Sequence, residues 1–303
     1  MGEHPLPIRF DGQGDQARIA TLVLEQGDRP VVVINKSLVA RLHQAIDALP
    51  DDLDGLVVAS GSKKVFVAGA DLAEIDRADD QELREYLEDA ARAFRRLTKL
   101  PCWTAAAING AALGGGLELA MHCDGLIGAP AEDDRPYLVG LPEAGLSICP
   151  GWGGTNLLPA RIEPCEGILR AASGKPMTFD EGVKEGLFDV ACVLPEELID
   201  AARFWIDEKN AKGRPERDGS PSKWIGRPGI VEGVRHGLKT CRGELPKTQA
   251  AQAVRECVEI GLAEGWSEAI KGERSRLIKL RHTPEAKEAI ARFFAKSAKS
   301  ARR

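Results

Sequence analysis

What these 303 residues lack narrows the field before any motif is read. The seven cysteines, at 102, 123, 149, 165, 192, 241 and 257, never form a CxxC pair. Their odd number and scatter argue against a disulfide frame or a zinc site and fit reduced, mostly buried thiols in a cytosolic protein. No stretch approaches 18 apolar residues, and the opening MGEHPLPIRFDG has no apolar core of the signal-peptide kind. A soluble, cytoplasmic protein with no membrane partner is therefore expected. An excess of basic charge is also missing: the net charge of −5 argues against a nucleic-acid partner, which would call for a basic face. Only the tail AKSAKSARR, with Lys296, Lys299, Arg302 and Arg303 and no acid, is basic. A frayed, solvated terminus is the better reading of it than a functional arm. There is no HExxH and no second histidine near His122, so no metal is expected. Ser147 lacks a GxSxG setting, which argues against a serine hydrolase, and no GxGxxG stands between a strand and a helix.

What is present is ordinary in bulk, 43% hydrophobic and 29% charged, and long enough for one large domain or a core plus an appendage. Apolar segments at Arg18–Glu25, Pro30–Asn35, Gly55–Ala59 and Val65–Ala68 read as strands. Between the second and third, Leu38, Leu42, Ile46 and Leu49 repeat at helical spacing. A longer helix is predicted over Asp80–Leu100, followed by a strand at Trp103–Ile108. The strand–strand–helix order then recurs through Gly125–Gly128 and Tyr137–Leu141 to a helix after Gly151. A third round is suggested by a helix at Phe179–Glu185 and a strand at Val190–Leu194. Repeated ββα units predict a stacked α/β core over residues 1–195. Residues 196–303 read as a helical C-terminal module interrupted by a Pro/Gly-rich surface loop at 211–229. Its last helix has Thr283 as N-cap, Pro284 at the first position, and Ala286, Ile290, Phe293 and Phe294 as its apolar face.

One stretch points to chemistry. Gly114-Gly115-Gly116 stands just ahead of a helix with Glu118 in its first turn, and Glu143 follows 25 residues later behind Pro142. Glycine lets a backbone approach a ligand closely, and the first N–H groups of a helix lack internal partners and suit developing negative charge. Two carboxyl groups beside such donors can move protons, so the combination suggests an enzyme that stabilises an oxyanion. Each residue has a plainer reading: a helix-entry turn for Gly115, a carboxylate on the helix dipole for Glu118, a surface turn for Glu143. The plain readings lose ground because all three occur together.

VAGADL (Val67–Leu72), NGAALGGGLELAMHCD (Asn109–Asp124) and GLPEAGLSICPGWGGT (Gly140–Thr155), in this order, resemble the enoyl-CoA hydratase/isomerase (crotonase) family. The resemblance covers about Ala17–Pro195 and extends to SGKPMTFDEGVKEGLFDVACV. It implies a ClpP/crotonase-like superhelix of ββα units. The stretch from PKTQAAQAVREC to IARFFA is similar to the tail of the hydratase part of multifunctional fatty-acid oxidation α chains. That leaves a stand-alone hydratase or a fragment of a longer chain as alternatives, and residues 205–245 without an assigned role.

By the resemblance, the backbone N–H groups of Ala70 and Gly115 form an oxyanion hole for an acyl-CoA thioester. Ala68, Gly69, Ala70, Asp71, Leu72 and Ala73, with Gly114 and Gly115, line the CoA site, and Asp71 more naturally fixes its loop than does chemistry. Glu118 and Glu143 match the two glutamates of true hydratases, with Glu118 assigned to water and Glu143 to C2. The implied reaction is addition of water to 2-trans-enoyl-CoA, giving 3-hydroxyacyl-CoA in fatty-acid β-oxidation. CoA enters as part of the substrate and no cofactor is expected. The alternatives are a Δ3,Δ2-enoyl-CoA isomerase and a non-catalytic acyl-CoA-binding or assembly subunit. The family also implies a trimer or hexamer, or a self-docked C-terminal module, and β-oxidation enzymes as partners. Lys63 and Lys64 read as a solvated turn rather than CoA-phosphate ligands, and His122 as a satisfied buried histidine. Cys149 reads as core, whereas Trp152 either packs under the active-site turn or narrows the acyl pocket.

Overall fold

The computed structural model describes residues 4–10, 19–27, 31–133 and 135–300. The strand ends expected at Arg18 and Pro30, and the tail residues Arg302 and Arg303, lie outside that description. The chain begins with β1 (Ile8–Phe10), β2 (Ile19–Leu24) and α1 (Lys36–Asp47). Three rounds follow: β3 (Gly55–Ser60), β4 (Val65–Val67), α2 (Leu72–Arg77) and α3 (Asp80–Leu97); then β5 (Trp103–Ile108), β6 (Ala111–Leu113) and α4 (Gly115–Met121); then β7 (Gly125–Gly128), β8 (Leu138–Gly140), α5 (Gly154–Leu157) and α6 (Pro164–Ser173). β9 (Met177–Thr178), α7 (Phe179–Lys184) and β10 (Val190–Ala191) complete the winding.

The first strand of each round joins one sheet, ordered β1-β2-β3-β5-β7-β10, and the second joins another, ordered β4-β6-β8-β9. Successive rounds therefore stack as a spiral, with parallel neighbours everywhere except at the antiparallel pairs β1/β2 and β8/β9. Strands buried on both faces need apolar residues throughout, which is why β3 reads GLVVAS and β5 WTAAAI without polar alternation. One face of these strands packs into the main core. The other is covered by α8 (Leu198–Asn210), whose Leu198, Ala202, Trp205 and Ile206 meet Val57, Ala105 and Ile127.

Residues 31–35 do not form a strand. Only Ile34 makes a bridge, to Ala70, because Val33 gives its N–H to Gln26 Oε1 and Asn35 already caps α1 through Leu38 N–H. β10 is also shorter than expected, ending at Ala191. α3 starts with a capping box between Asp79 and Glu82 and buries Leu83, Leu87, Phe94 and Leu97 along one stripe.

After α8 no helix or strand forms until α9 (Val231–Cys241), followed by α10 (Gln249–Glu264), α11 (Trp266–Leu280) and α12 (Pro284–Ser300). The intervening loop is pinned by Arg217. Its guanidinium donates to both carboxylate oxygens of Asp124, at 2.7 and 2.8 Å, and to the carbonyls of Leu100 and Cys102. α10 packs on α5 and α6, α11 on α3 and α5, and α12 on the turn that carries Glu143. The C-terminal helices thus fold back onto the core of their own chain. α12 opens at Thr283 as expected and buries Ala286 and Ile290, whereas Phe293 is 43% exposed. Among the described residues no helix is long and apolar enough to cross a membrane.

Candidate active site

The site forms where β6 hands over to α4. Gly114 takes φ +52°, a conformation glycine adopts without a Cβ penalty, and its N–H donates to the Gly140 carbonyl at the end of β8. The next two glycines serve close approach. A Cβ on Gly115 would stand 2.4 Å from a ring carbon of Trp152, and one on Gly116 would stand 2.2 Å from the Val67 carbonyl oxygen. The triple glycine lets α4 begin flush against β4 and the Trp152 ring, with its first N–H groups free of intrahelical partners.

Ala70 reaches the same region from the other side. Ile34 receives the Asp71 N–H and donates its own N–H to Gly69 O, both at 2.8 Å. In a parallel bridge of this kind the intervening residue turns its own N–H to the opposite side, so that of Ala70 faces away from Ile34. Gly69, at φ +107°, sits with its Cβ position 3.1 Å from the Leu113 carbonyl oxygen, beside the start of α4. Asp71 caps α2 by accepting from Ala73 and Glu74 N–H, fixing the loop. Ala68, Leu72 and Ala73 are half-buried along it. Lys63 and Lys64 are exposed and pair with Glu132 and Asp133.

Glu118 is buried, and its Oε1 accepts two backbone N–H groups, from Trp152 at 2.7 Å and Gly154 at 2.8 Å. Burial first, then the neighbouring Glu273 and Glu143 carboxyls, push its pKa well above the usual carboxylate range, while the two N–H donors pull it down. Glu143 opens a single 3-10 turn, Glu143–Leu146, directly after Pro142. The residue is half-buried, but its Oε2 is enclosed and no protein donor reaches it among the described residues. Burial pushes its pKa up to about 8, with Glu273 adding to the rise against its own backbone N–H. Glu143 is therefore an acid that holds its proton at neutral pH.

The third carboxyl, Glu273 of α11, has no counterpart in the sequence reading. It accepts from Gly153 N–H at 2.5 Å, from Thr155 N–H at 2.9 Å and from the Thr155 hydroxyl. More than a hundred residues separate it from its partners, and no local pattern marks it out from the other glutamates of α10 and α11. Three carboxyls, Glu118, Glu143 and Glu273, thus converge here, and among the described residues no group has the arrangement of a metal site. His122 is buried with Nδ1 2.8 Å from the Glu118 carbonyl, and burial lowers its pKa to about 4, so it is neutral. Trp152 is buried against Gly115, edge-on to Tyr86 and Phe94, with its ring N–H on the Leu87 carbonyl. Cys149 is wholly buried in the same turn.

Fold and site together define an α/β spiral whose repeated units bring two glutamates to one glycine-opened helix start. The family model described as enoyl-CoA hydratase/isomerase matches residues 16–216, and the chain belongs to that family. It is 30% identical over 289 residues to the fatty acid oxidation complex subunit alpha of Aliivibrio fischeri, covering 93% of this chain and 41% of that protein. With the subunit of the same name from Vibrio cholerae, 32% identity over 252 residues covers 80% of this chain and 34% of the relative. The chain thus spans less than half the length of these relatives. Among solved structures, enoyl-CoA hydratase from Bacillus anthracis aligns at a TM-score of 0.59 and 23% identity, covering 95% of this chain and 96% of that one. An enoyl-CoA hydratase/isomerase from Mycobacterium paratuberculosis aligns at 0.64 and 17%, covering 96% and 100%. These structures share the fold.

Proposed function

We propose that the chain is an enoyl-CoA hydratase, adding water to a 2-trans-enoyl-CoA to give the 3-hydroxyacyl-CoA. The observation that carries this reading is the pair of enclosed carboxyls at one helix start. Glu118 commits one oxygen to two N–H donors, and Glu143 keeps its proton. In its ionised form, which the Trp152 and Gly154 N–H donors favour, Glu118 takes a proton from water as the water oxygen bonds to C3, while Glu143 delivers its proton to C2. The N–H groups of Ala70 and Gly115 receive the thioester oxygen as it gains enolate charge, a bond that strengthens in the transition state. The proton left on Glu118 returns to Glu143, and both are restored.

Ala68–Ala73 and Gly114–Gly115 would seat the CoA thioester, which enters as substrate. The chemistry calls only on carboxyl groups and N–H donors, so no separate cofactor is assigned. A role in fatty-acid β-oxidation is supported by the similarity to fatty acid oxidation complex subunits. The C-terminal helices folded on their own core support the self-docked arrangement over one that reaches a neighbouring subunit.

The test is hydration of crotonyl-CoA and of a long-chain enoyl-CoA, followed by loss of the conjugated-thioester absorbance. Glu118→Gln and Glu143→Gln should each lower turnover by about 10²- to 10⁴-fold while CoA binding persists. Migration of a 3-enoyl-CoA double bond without hydration would make the isomerase reading correct. Binding with neither activity would leave an acyl-CoA-binding subunit.

A further inference from the structure

Four successive backbone N–H groups, Trp152 to Thr155, go alternately to two carboxylates. Trp152 and Gly154 donate to Glu118, whereas Gly153 and Thr155 donate to Glu273. Glu273 takes Gly153 on Oε2 and Thr155 on Oε1, and the Thr155 hydroxyl also donates to Oε1. That hydroxyl is turned toward Glu273 by Asn156, whose Nδ2 donates to Thr155 Oγ1 at 2.8 Å. Both oxygens of Glu273 therefore accept from donors, contacts that favour its anion against the burial that disfavours it. The two carboxylates hold one turn between them, so a shift in either moves the donors of the other.

Resting on the hydratase reading, we propose that Glu273 is a positioning residue of the active site. It reaches from α11 to set the direction of the Glu118 carboxylate through the shared turn, and in its ionised form it places a negative charge beside it. The site is then complete only with the C-terminal helices in place.

The groups facing this pair come from several elements. Glu143 stands on its 3-10 turn, and Cys149, a thiol kept neutral by burial, lies in the following loop. Tyr86 of α3 stays protonated because it is buried near Glu118. His122, whose ring nitrogen meets the Glu118 carbonyl, is neutral because it is buried. Burial raises the Glu273 pKa above the ordinary carboxylate value, while the Thr155 hydroxyl, the Gly153 and Thr155 N–H groups and then Arg274, next to it on α11, oppose that rise. Glu273 is thus the member of the cluster with the fullest set of donors, and its charge bears directly on whether Glu118 holds a proton.

The experiment compares wild type, Glu273→Gln and Glu273→Asp by pH profiles of kcat and kcat/KM for crotonyl-CoA. A titration of the Glu118 side-chain carboxyl by ¹³C NMR is run alongside, with the signal assigned by Glu118→Gln. A glutamine presents its NH2 to one of the N–H donors, so the turn shifts, and kcat should fall about 10²-fold with KM nearly unchanged. Loss of the neighbouring anion should move both the acid limb and the Glu118 titration to lower pH. Glu273→Asp keeps the charge but shortens the reach, so kcat should fall while the acid limb stays. A folded Glu273→Gln protein with wild-type kcat, or with lost kcat but an unmoved Glu118 titration, overturns the proposal. If wild type itself fails to hydrate, the functional reading is wrong, and the NMR titration still decides whether Glu273 governs the proton on Glu118.

Discussion

Oε1 of Glu143 lies 2.6 Å from where a Cβ on Gly114 would stand, so the carboxyl rests on the start of α4 with nothing between. The other oxygen is enclosed without a protein donor among the described residues, and the group is held as a neutral acid up to about pH 8.

This makes stability depend on pH with a definite sign. The folded pKa of Glu143 stands above its ordinary value of 4.5, so the native state binds more protons between about 4.5 and 8, and stability falls as pH rises through that window. Glu118 is raised by the same causes and acts in the same direction. His122, lowered from 6.5 to about 4, works oppositely, costing stability as pH falls below 6.5. Above pH 6.5 only the carboxyl effect remains among these three groups. The urea midpoint should drop between pH 6.5 and 8.5, and Glu143→Gln should drop less. An equal drop in the variant would place the effect on Glu118 alone.

Gly115→Ala should damage catalysis more than binding. The added Cβ would meet the buried Trp152 ring at 2.4 Å and the Ile34 side chain at 3.1 Å, so the start of α4 must shift. An N–H displaced from the thioester oxygen costs about 10²- to 10³-fold in kcat. Hydration rates together with CoA binding measure this, and wild-type kcat would show that the Gly115 N–H takes no part.

Arg217→Ala should destabilise the protein by about 3–5 kcal/mol, since it strands the buried Asp124 carboxylate without its counter-charge. Arg214→Ala, which removes an exposed pair with Asp54, should cost under about 1 kcal/mol. Urea unfolding of the two variants at pH 7 separates the cases, and equal losses would refute the assigned role of the loop.

The ββα rounds were legible because each element carries its own local signature. Wholly apolar runs mark β3 and β5, a helical stripe marks α3, and three glycines announce a helix start that lies flush against its neighbours. The strand expected from Pro30 misled over residues 31–35, whose apolar residues serve a loop rather than a sheet, with the Val33 N–H taken by a glutamine side chain and Asn35 by a helix cap. Trp152 was ambiguous because nothing local says which way a buried ring faces, and only packing set it against Gly115 between Tyr86 and Phe94.

The sequence by itself determined the repeated α/β architecture and placed Glu118, Glu143 and Gly115 in recognisable local settings, since periodicity, glycine runs and caps act over a few residues, whereas Ala70 was marked only by the family resemblance. Tertiary structure alone decided that Glu273 meets the active-site turn, that Arg217 neutralises Asp124, and that an oxygen of one carboxyl is enclosed without a protein donor among the described residues while another carboxyl meets donors on both oxygens. Those outcomes depend on burial and on donors brought from more than ninety residues away, and neither leaves a mark on neighbouring sequence.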